Sequence, residues 1–211
     1  MKKVLVINAS SRGDRSHSRI MTALFVDKWK RSFKEDTIVY REVGMESIPH
    51  ITEDWIAAAF TKVEDRTEEA QQALSLSNLL VSELKEADVY VIGAPMYNWS
   101  IPSSLKAYID QVMRINETWK FQSGKPDGIY VGLLENKKLY ILSSRGDAGY
   151  NEGEVNAHMN FQTTYLRMVF NIMGVNDIDV ISLDNEEYGG ELLRNSQRAA
   201  YQKIENLNLR R

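Results

Sequence analysis

The 211-residue chain contains no cysteine. That excludes disulfides, thiolate-bound zinc, iron–sulfur clusters and a thiol nucleophile. Histidine is scarce: His17, His50 and His158 lie too far apart for a local ligand motif such as H-E-x-x-H, so no metal site is expected. With only four prolines there is no Pro-rich linker, and no repeat or low-complexity tract appears. No apolar run approaches the ~18 residues of a membrane-spanning helix. Neither sign of charge dominates, since 26 Lys+Arg against 29 Asp+Glu leave −3. This balance argues against nucleic acid or another polyanion as partner and against a membrane-surface role. Met1-Lys2-Lys3 is followed by only four apolar residues, to Ile7. That is too short for a signal-peptide core, so a cytoplasmic protein is expected.

What remains is ordinary globular composition, 43% hydrophobic and 26% charged, expected to form one domain over residues 1–211. Short β-branched runs alternate with longer amphipathic segments. Val4–Ile7, Thr37–Val43, Asp88–Gly93, Lys138–Leu142 and Ile178–Leu183 read as strands, the first and third of them buried on both faces. Ser18–Phe33, Glu68–Leu84, Pro102–Ile115, His158–Met173 and Glu191–Asn206 read as helices, with Pro102 opening the third and Gly174 stopping the fourth. Strands alternating with helices predict parallel βαβ units in an α/β layered domain. Five such units need about 150 residues. The surplus of roughly 60 falls mostly in two insertions, Gly44–Thr67 and Asn116–Lys137.

In open α/β sheets, ligands bind beyond the carboxyl ends of the strands, which directs attention to the loops after strands one, three and four. The first, Asn8 to Ser18, carries four serines between a buried strand and a helix start. A phosphate there would meet backbone N–H groups, the positive helix end and hydroxyl donors. From composition alone the plainer reading is that Ser16 or Ser18 merely caps the helix. Neither the dinucleotide fingerprint nor a Walker loop is present. The second loop, Gly93 to Pro102, places Met96, Tyr97 and Trp99 in a turn, which suits a flat aromatic ligand, with Asn98 available to its polar edge. Trp99 folding back onto the following helix is the other reading. The third loop, Ser143 to Tyr150, is rich in small residues and permits close backbone approach, or is simply flexible. A serine hydrolase is not indicated, because G-x-S-x-G is absent.

Together these loops resemble those of the FMN-dependent NADH-azoreductases, within the flavodoxin-like NAD(P)H:quinone oxidoreductases. The resemblance runs nearly end to end. Its most specific piece is Ala94-Pro95-Met96-Tyr97-Asn98, followed by Leu105-Lys106 and Tyr108, with Trp99 filling the family's aromatic position. The resemblance implies a three-layer sandwich around a five-stranded parallel sheet of order 2-1-3-4-5. It implies FMN, tightly but non-covalently bound, with its phosphate at Ser10, Ser16, His17 and Ser18. The isoalloxazine would lie against Pro95, Met96, Tyr97, Asn98 and Trp99, with Ser144, Arg145, Gly146 and Asp147 near its pyrimidine end. Asp147 stands where the family has a second glycine, adding a carboxylate beside the flavin.

The implied reaction passes two electrons by a ping-pong mechanism, from NADH or NADPH to quinones and azo compounds. The cofactor carries the hydride chemistry, so no catalytic side chain is expected. No basic cluster stands out for a 2′-phosphate, which favours NADH. The resemblance also implies a homodimer with flavin sites at the interface, and Trp119 or Phe121 is expected to wall a substrate pocket. Packing of these two rings onto the chain's own helix is the other reading. A flavodoxin-type electron carrier without turnover of its own is the alternative function. Carriers are shorter and more acidic than this chain, so it fits less well. A flavin-free regulatory module is a third.

Overall fold

Runs such as Val4-Leu5-Val6-Ile7 are apolar at every position because both faces of their sheet are covered. The computed structural model describes residues 1–122 and 130–209. In chain order the elements are β1 (Lys3–Asn8), α1 (His17–Ser32), β2 (Thr37–Glu42), α2 (Glu53–Phe60), α3 (Glu68–Ala73), α4 (Ser75–Glu86), β3 (Val89–Pro95), α5 (Ser103–Val112), β4 (Trp119–Phe121), β5 (Tyr130–Gly132), β6 (Lys138–Ser144), α6 (Thr163–Ile172), β7 (Asp177–Leu183) and α7 (Gly190–Glu205). Five strands form one parallel sheet in the order β2-β1-β3-β6-β7. β4 and β5 make a separate antiparallel pair, so the main sheet has the expected 2-1-3-4-5 order once this insertion is set aside.

Side chains of a strand alternate between faces, and the sheet's two cores follow that period. Leu5, Ile7, Tyr90, Ile92, Leu139 and Ile141 meet Leu80 and Leu84 of α4, Tyr108 and Val112 of α5 and Phe170 of α6 on one face. Val4, Val6, Val91, Tyr140 and Leu142 meet Met21, Phe25 and Trp29 of α1 and Ala200 and Ile204 of α7 on the other. This is the three-layer sandwich.

Two expected helices differ. The segment Glu68–Leu84 is not one helix: it breaks at Leu74, whose backbone sits at φ −95°, ψ −1°. Leu74 is pinned in a small core with Trp55, Ala58 and Ala59 of α2, and burying it there turns the chain. The helix expected from His158 becomes regular only at Thr163, after a single 3₁₀ turn at Ala157–Met159. Tertiary hydrogen bonds intervene: Phe161 N donates to Trp99 O at 3.1 Å and Gln162 Nε2 to Ala94 O at 3.0 Å. Asn160 Oδ1 then accepts from Thr163 N at 3.1 Å. Gly174, at φ +102°, ends α6 as anticipated.

Both insertions carry structure. Gly44–Thr67 holds α2, fastened to α5 by Trp55 Nε1 donating to Gln111 Oε1 at 2.8 Å. Asn116–Lys137 holds the β4–β5 pair, where Trp119, Phe121 and Tyr130 form a ring cluster with centroids 4.9–5.8 Å apart. Gly124, Pro126 and Gly128 of that insertion lie outside the described residues. The hairpin joins the exit of α5 to the entry of β6, so it belongs to the amino end of the sheet. There Leu134 N donates to Met173 O at 2.8 Å.

Candidate functional site

At the opposite, carboxyl end of the sheet, loops after β1, β3, β6 and β7 enclose a cleft of about 550 Å³. This is within the range of small-molecule and cofactor sites.

The β1–α1 loop is held in shape by Arg19. Its guanidinium donates to Ser10 O at 2.6 Å and Arg12 O at 2.8 Å, and makes a bidentate pair with Glu42 at 2.6 and 2.7 Å. Glu42 also accepts from Gly44 N at 2.8 Å and Met45 N at 3.1 Å. Burial pushes the Glu42 carboxyl up, but Arg19 and these two N–H groups outweigh it and leave it below the usual carboxylate range. Gly44 is required here, since a Cβ would stand 2.1 Å from Ser10 O. Within this frame Ser10, Ser16 and Ser18 are buried. Ser16 caps α1, its Oγ accepting from Arg19 N at 3.3 Å, and lies 3.1 Å from Ser18 Oγ. The first turn of α1 has no acidic residue, so its positive end is uncompensated. His17 Nδ1 is buried without a hydrogen-bond partner.

The β3–α5 loop is a tight two-residue turn. Tyr97 and Ser100 exchange N–H···O bonds of 3.0 Å each, and Asn98 and Trp99 both have positive φ, 48° and 64°. That is the left-handed twist hairpin turns need, and it is costly for Trp. Met96 N donates to Ser144 O at 2.7 Å, tying this turn to the third loop.

In the third loop, Arg145 N donates to Leu183 O at 2.9 Å, and Glu186 N and Glu187 N donate to Arg145 O and Gly146 O. A Cβ on Gly146 would come within 2.8 Å of Glu187 Cγ, so a side chain there would displace Glu187.

Of the residues expected to hold the cofactor, Ser10, Ser16, His17, Pro95, Met96, Tyr97, Asn98, Ser144 and Gly146 line the cleft. The other four lie elsewhere. Ser18 is buried behind Ser16. Trp99 is 52% exposed, and hydrogen-bonds the Tyr150 hydroxyl. Arg145 is buried beneath the loop, over the Tyr150 ring. Asp147 turns its Oδ1 to Ala148 N at 2.7 Å. Trp119 and Phe121, on the hairpin at the other end of the sheet, do not line this cleft.

Three lining residues escaped sequence reasoning: Arg12, Glu186 and Glu187. The two glutamates follow β7, and the carboxyl-end rule, applied to that strand as well, would have found them. Arg12 pairs with Glu186 across the cleft mouth.

A family model described as a flavodoxin-like fold matches residues 2–206. An FMN-dependent NADH:quinone oxidoreductase of Nostoc punctiforme is 41% identical over 189 residues, 90% of each chain. One from Herminiimonas arsenicoxydans is 44% identical over 191 residues, 90% of this chain and 91% of the relative. The chain belongs to the flavodoxin-like FMN-dependent NADH:quinone oxidoreductase family. Its members are oxidoreductases, and the electron-carrier alternative is not favoured. In keeping with the family's fold, an azoreductase from Bacillus anthracis superposes with a TM-score of 0.83 at 25% identity, covering 98% of this chain and 100% of that one. An FMN-dependent NADH-azoreductase from Bacillus anthracis, solved in complex with FMN, shares the fold at a TM-score of 0.81 and 24% identity, over 96% and 97% of the chains.

Proposed function

We propose that this chain acts as one flavodoxin-like domain over residues 1–211, holding FMN and passing two electrons from NADH or NADPH to quinones and azo compounds. The observation that carries this is the pairing, in one cleft, of a serine-lined helix start with an aromatic turn and a glycine-bearing loop. The residues fit the cofactor chemically. Ser10, Ser16 and the α1 N–H groups suit a phosphate, and His17 Nδ1 is a buried polar atom in want of a partner. Met96, Tyr97 and Asn98 offer a wall for a flat ring. Ser144 and Gly146 let backbone approach its polar edge. Ser18 acts behind Ser16, Arg145 and Asp147 shape the third loop, and Trp99 borders the acceptor's approach.

Bound FMN supplies the hydride-accepting and hydride-donating centre. The protein's part is to position the ring and its visitors in contact, which accounts for the missing acid–base dyad. In this reading donor and acceptor use the same cleft and therefore take turns.

The enzyme is read as a cytoplasmic homodimer. Phe60, Phe121, Tyr130 and Phe161 are all more than half exposed, and large apolar groups left in water point to a covering surface. Trp119 and Phe121 do not line the cleft of their own chain, so in this reading they would wall the partner's substrate pocket. Phe121→Ala is expected to raise KM for a quinone while FMN content stays normal. An unchanged KM in the dimer removes Phe121 from the pocket.

The reaction is tested with the FMN-loaded protein, NADH and benzoquinone. Quinone-dependent NADH consumption with parallel double-reciprocal lines is expected. Intersecting lines would overturn the ping-pong order, and FMN binding without turnover would restore the carrier reading.

A further inference from the structure

We propose that Arg12 is the residue that reads the cofactor's phosphate, and that Glu186 holds it in reserve, the Arg12–Glu186 ion pair being exchanged for an Arg12–phosphate pair on binding. The inference rests on the FMN reading above.

The argument starts from charge. Among the described residues lining the cleft, Arg12 carries the one guanidinium, against two carboxylates, Glu186 and Glu187. A phosphate monoester brings close to two further negative charges at neutral pH. Arg19, which holds this loop, is already spent: Glu42 takes it in a bidentate pair, and its remaining N–H groups hold the backbone carbonyls of Ser10 and Arg12. The serine hydroxyls and the start of α1 supply dipoles but no full charge. Arg12 offsets one of the two carboxylates; without it an anion would meet both unopposed.

Arg12 is also built to make the exchange. Its backbone is fixed at both ends, with Arg12 N donating to Ser10 Oγ at 3.2 Å and Arg12 O accepting from Arg19 Nε at 2.8 Å. Its side chain is 56% exposed and, among the described residues, is held by Glu186 alone. Glu186 is rooted in turn by its N–H on Arg145 O at 3.1 Å. Only two side chains therefore need to move. An exposed ion pair is weak, whereas guanidinium and phosphate match as a planar fork to two oxygens, so the exchange runs toward the bound state. Glu186 keeps Arg12 beside the cleft and sets a cost on releasing it.

The test is flavin affinity, read by fluorescence quenching as apo-protein is titrated with FMN, with riboflavin, which lacks the phosphate, and with inorganic phosphate as competitor. Arg12→Ala is expected to weaken FMN at least about tenfold, the loss of one charged hydrogen-bonding partner, and to leave riboflavin unchanged. Phosphate should compete with FMN less well in that variant. Glu186→Gln is expected to tighten FMN, and the gain should shrink in the Arg12→Ala background. Arg12→Ala with wild-type FMN affinity, or with FMN and riboflavin weakened equally, overturns the proposal while leaving the FMN reading standing. A wild-type chain that binds neither flavin overturns both.

Discussion

Replacing Ser16 and Ser18 together by alanine is expected to lower FMN affinity by about 10- to 100-fold. Of the two, Ser16 lines the cleft, and a hydroxyl facing a charged acceptor contributes about 1.5–3 kcal/mol, or one to two powers of ten. The two oxygens are buried and 3.1 Å apart, so they act as a pair: Ser18 orients the Ser16 hydroxyl. Ser16 also caps α1 through Arg19 N, at a long 3.3 Å. Losing a cap costs about 1 kcal/mol, a fall in Tm of about 3 °C for a chain of this size. The two roles separate by measurement. Equilibrium dialysis reports the phosphate role and thermal unfolding the cap. If Tm falls as stated and FMN retention does not, these serines are caps and the phosphate is held elsewhere in the loop.

That experiment addresses an ambiguity the sequence left open, and the ambiguity is physical. A serine at a helix start looks the same whether its oxygen accepts from the helix or donates to a ligand. The main sheet was easier to read. β1 and β3 are buried on both faces, so their apolar runs are unbroken, and the glycine after α6 stops the helix where its left-handed backbone is needed. What local pattern could not show were effects of distant contacts. Leu74 has ordinary helical spacing, but its burial against Trp55 breaks the helix. Asn160, Phe161 and Gln162 look helical too, but their hydrogen bonds run elsewhere, two of them to the β3–α5 segment. The same holds at the cleft. Ser10, Met96 and Ser144 sit in loops that the carboxyl-end rule selects, and the family resemblance names all three within them; their backbone or side chains line the cleft because the strand ends fix where those loops lie. Arg145 and Glu186 are a lesson in the opposite direction. The residue named as a cofactor contact is buried under the loop, and the unnamed one lines the cleft, because a long side chain's destination depends on what surrounds it.

Arg145→Met is expected to cost about 3 kcal/mol of stability and lower Tm by about 6–12 °C. Arg145 is 1% exposed. It lies 5.5 Å over the Tyr150 ring, donates to Gln162 Oε1 at 3.3 Å and Asn151 Oδ1 at 3.4 Å, and stands 3.7 Å from Asp184 Oδ1. It therefore ties the third loop to β7 and to the segment before α6. Methionine fills much of the volume but leaves Asp184 without its cation. Burial already raises the Asp184 carboxyl above its ordinary value, and Arg145 is the largest influence holding it down. With Arg145 gone, the carboxyl rises further. A carboxyl raised on folding binds its proton more tightly in the folded chain than in the unfolded one. Stability then falls as pH rises from the ordinary value of about 3.9 through the raised one, and the whole cost is present above it. The defect of Arg145→Met should accordingly be largest at neutral pH and shrink in mildly acid buffer. Adding Asp184→Asn should recover part of the lost Tm at neutral pH and flatten that dependence. Thermal unfolding of the single and double variants across pH checks both. A single variant whose Tm matches wild type would mean that Arg145 is not the tie that shapes this loop. A pH-independent defect would mean that Asp184 is not the group left exposed to its loss.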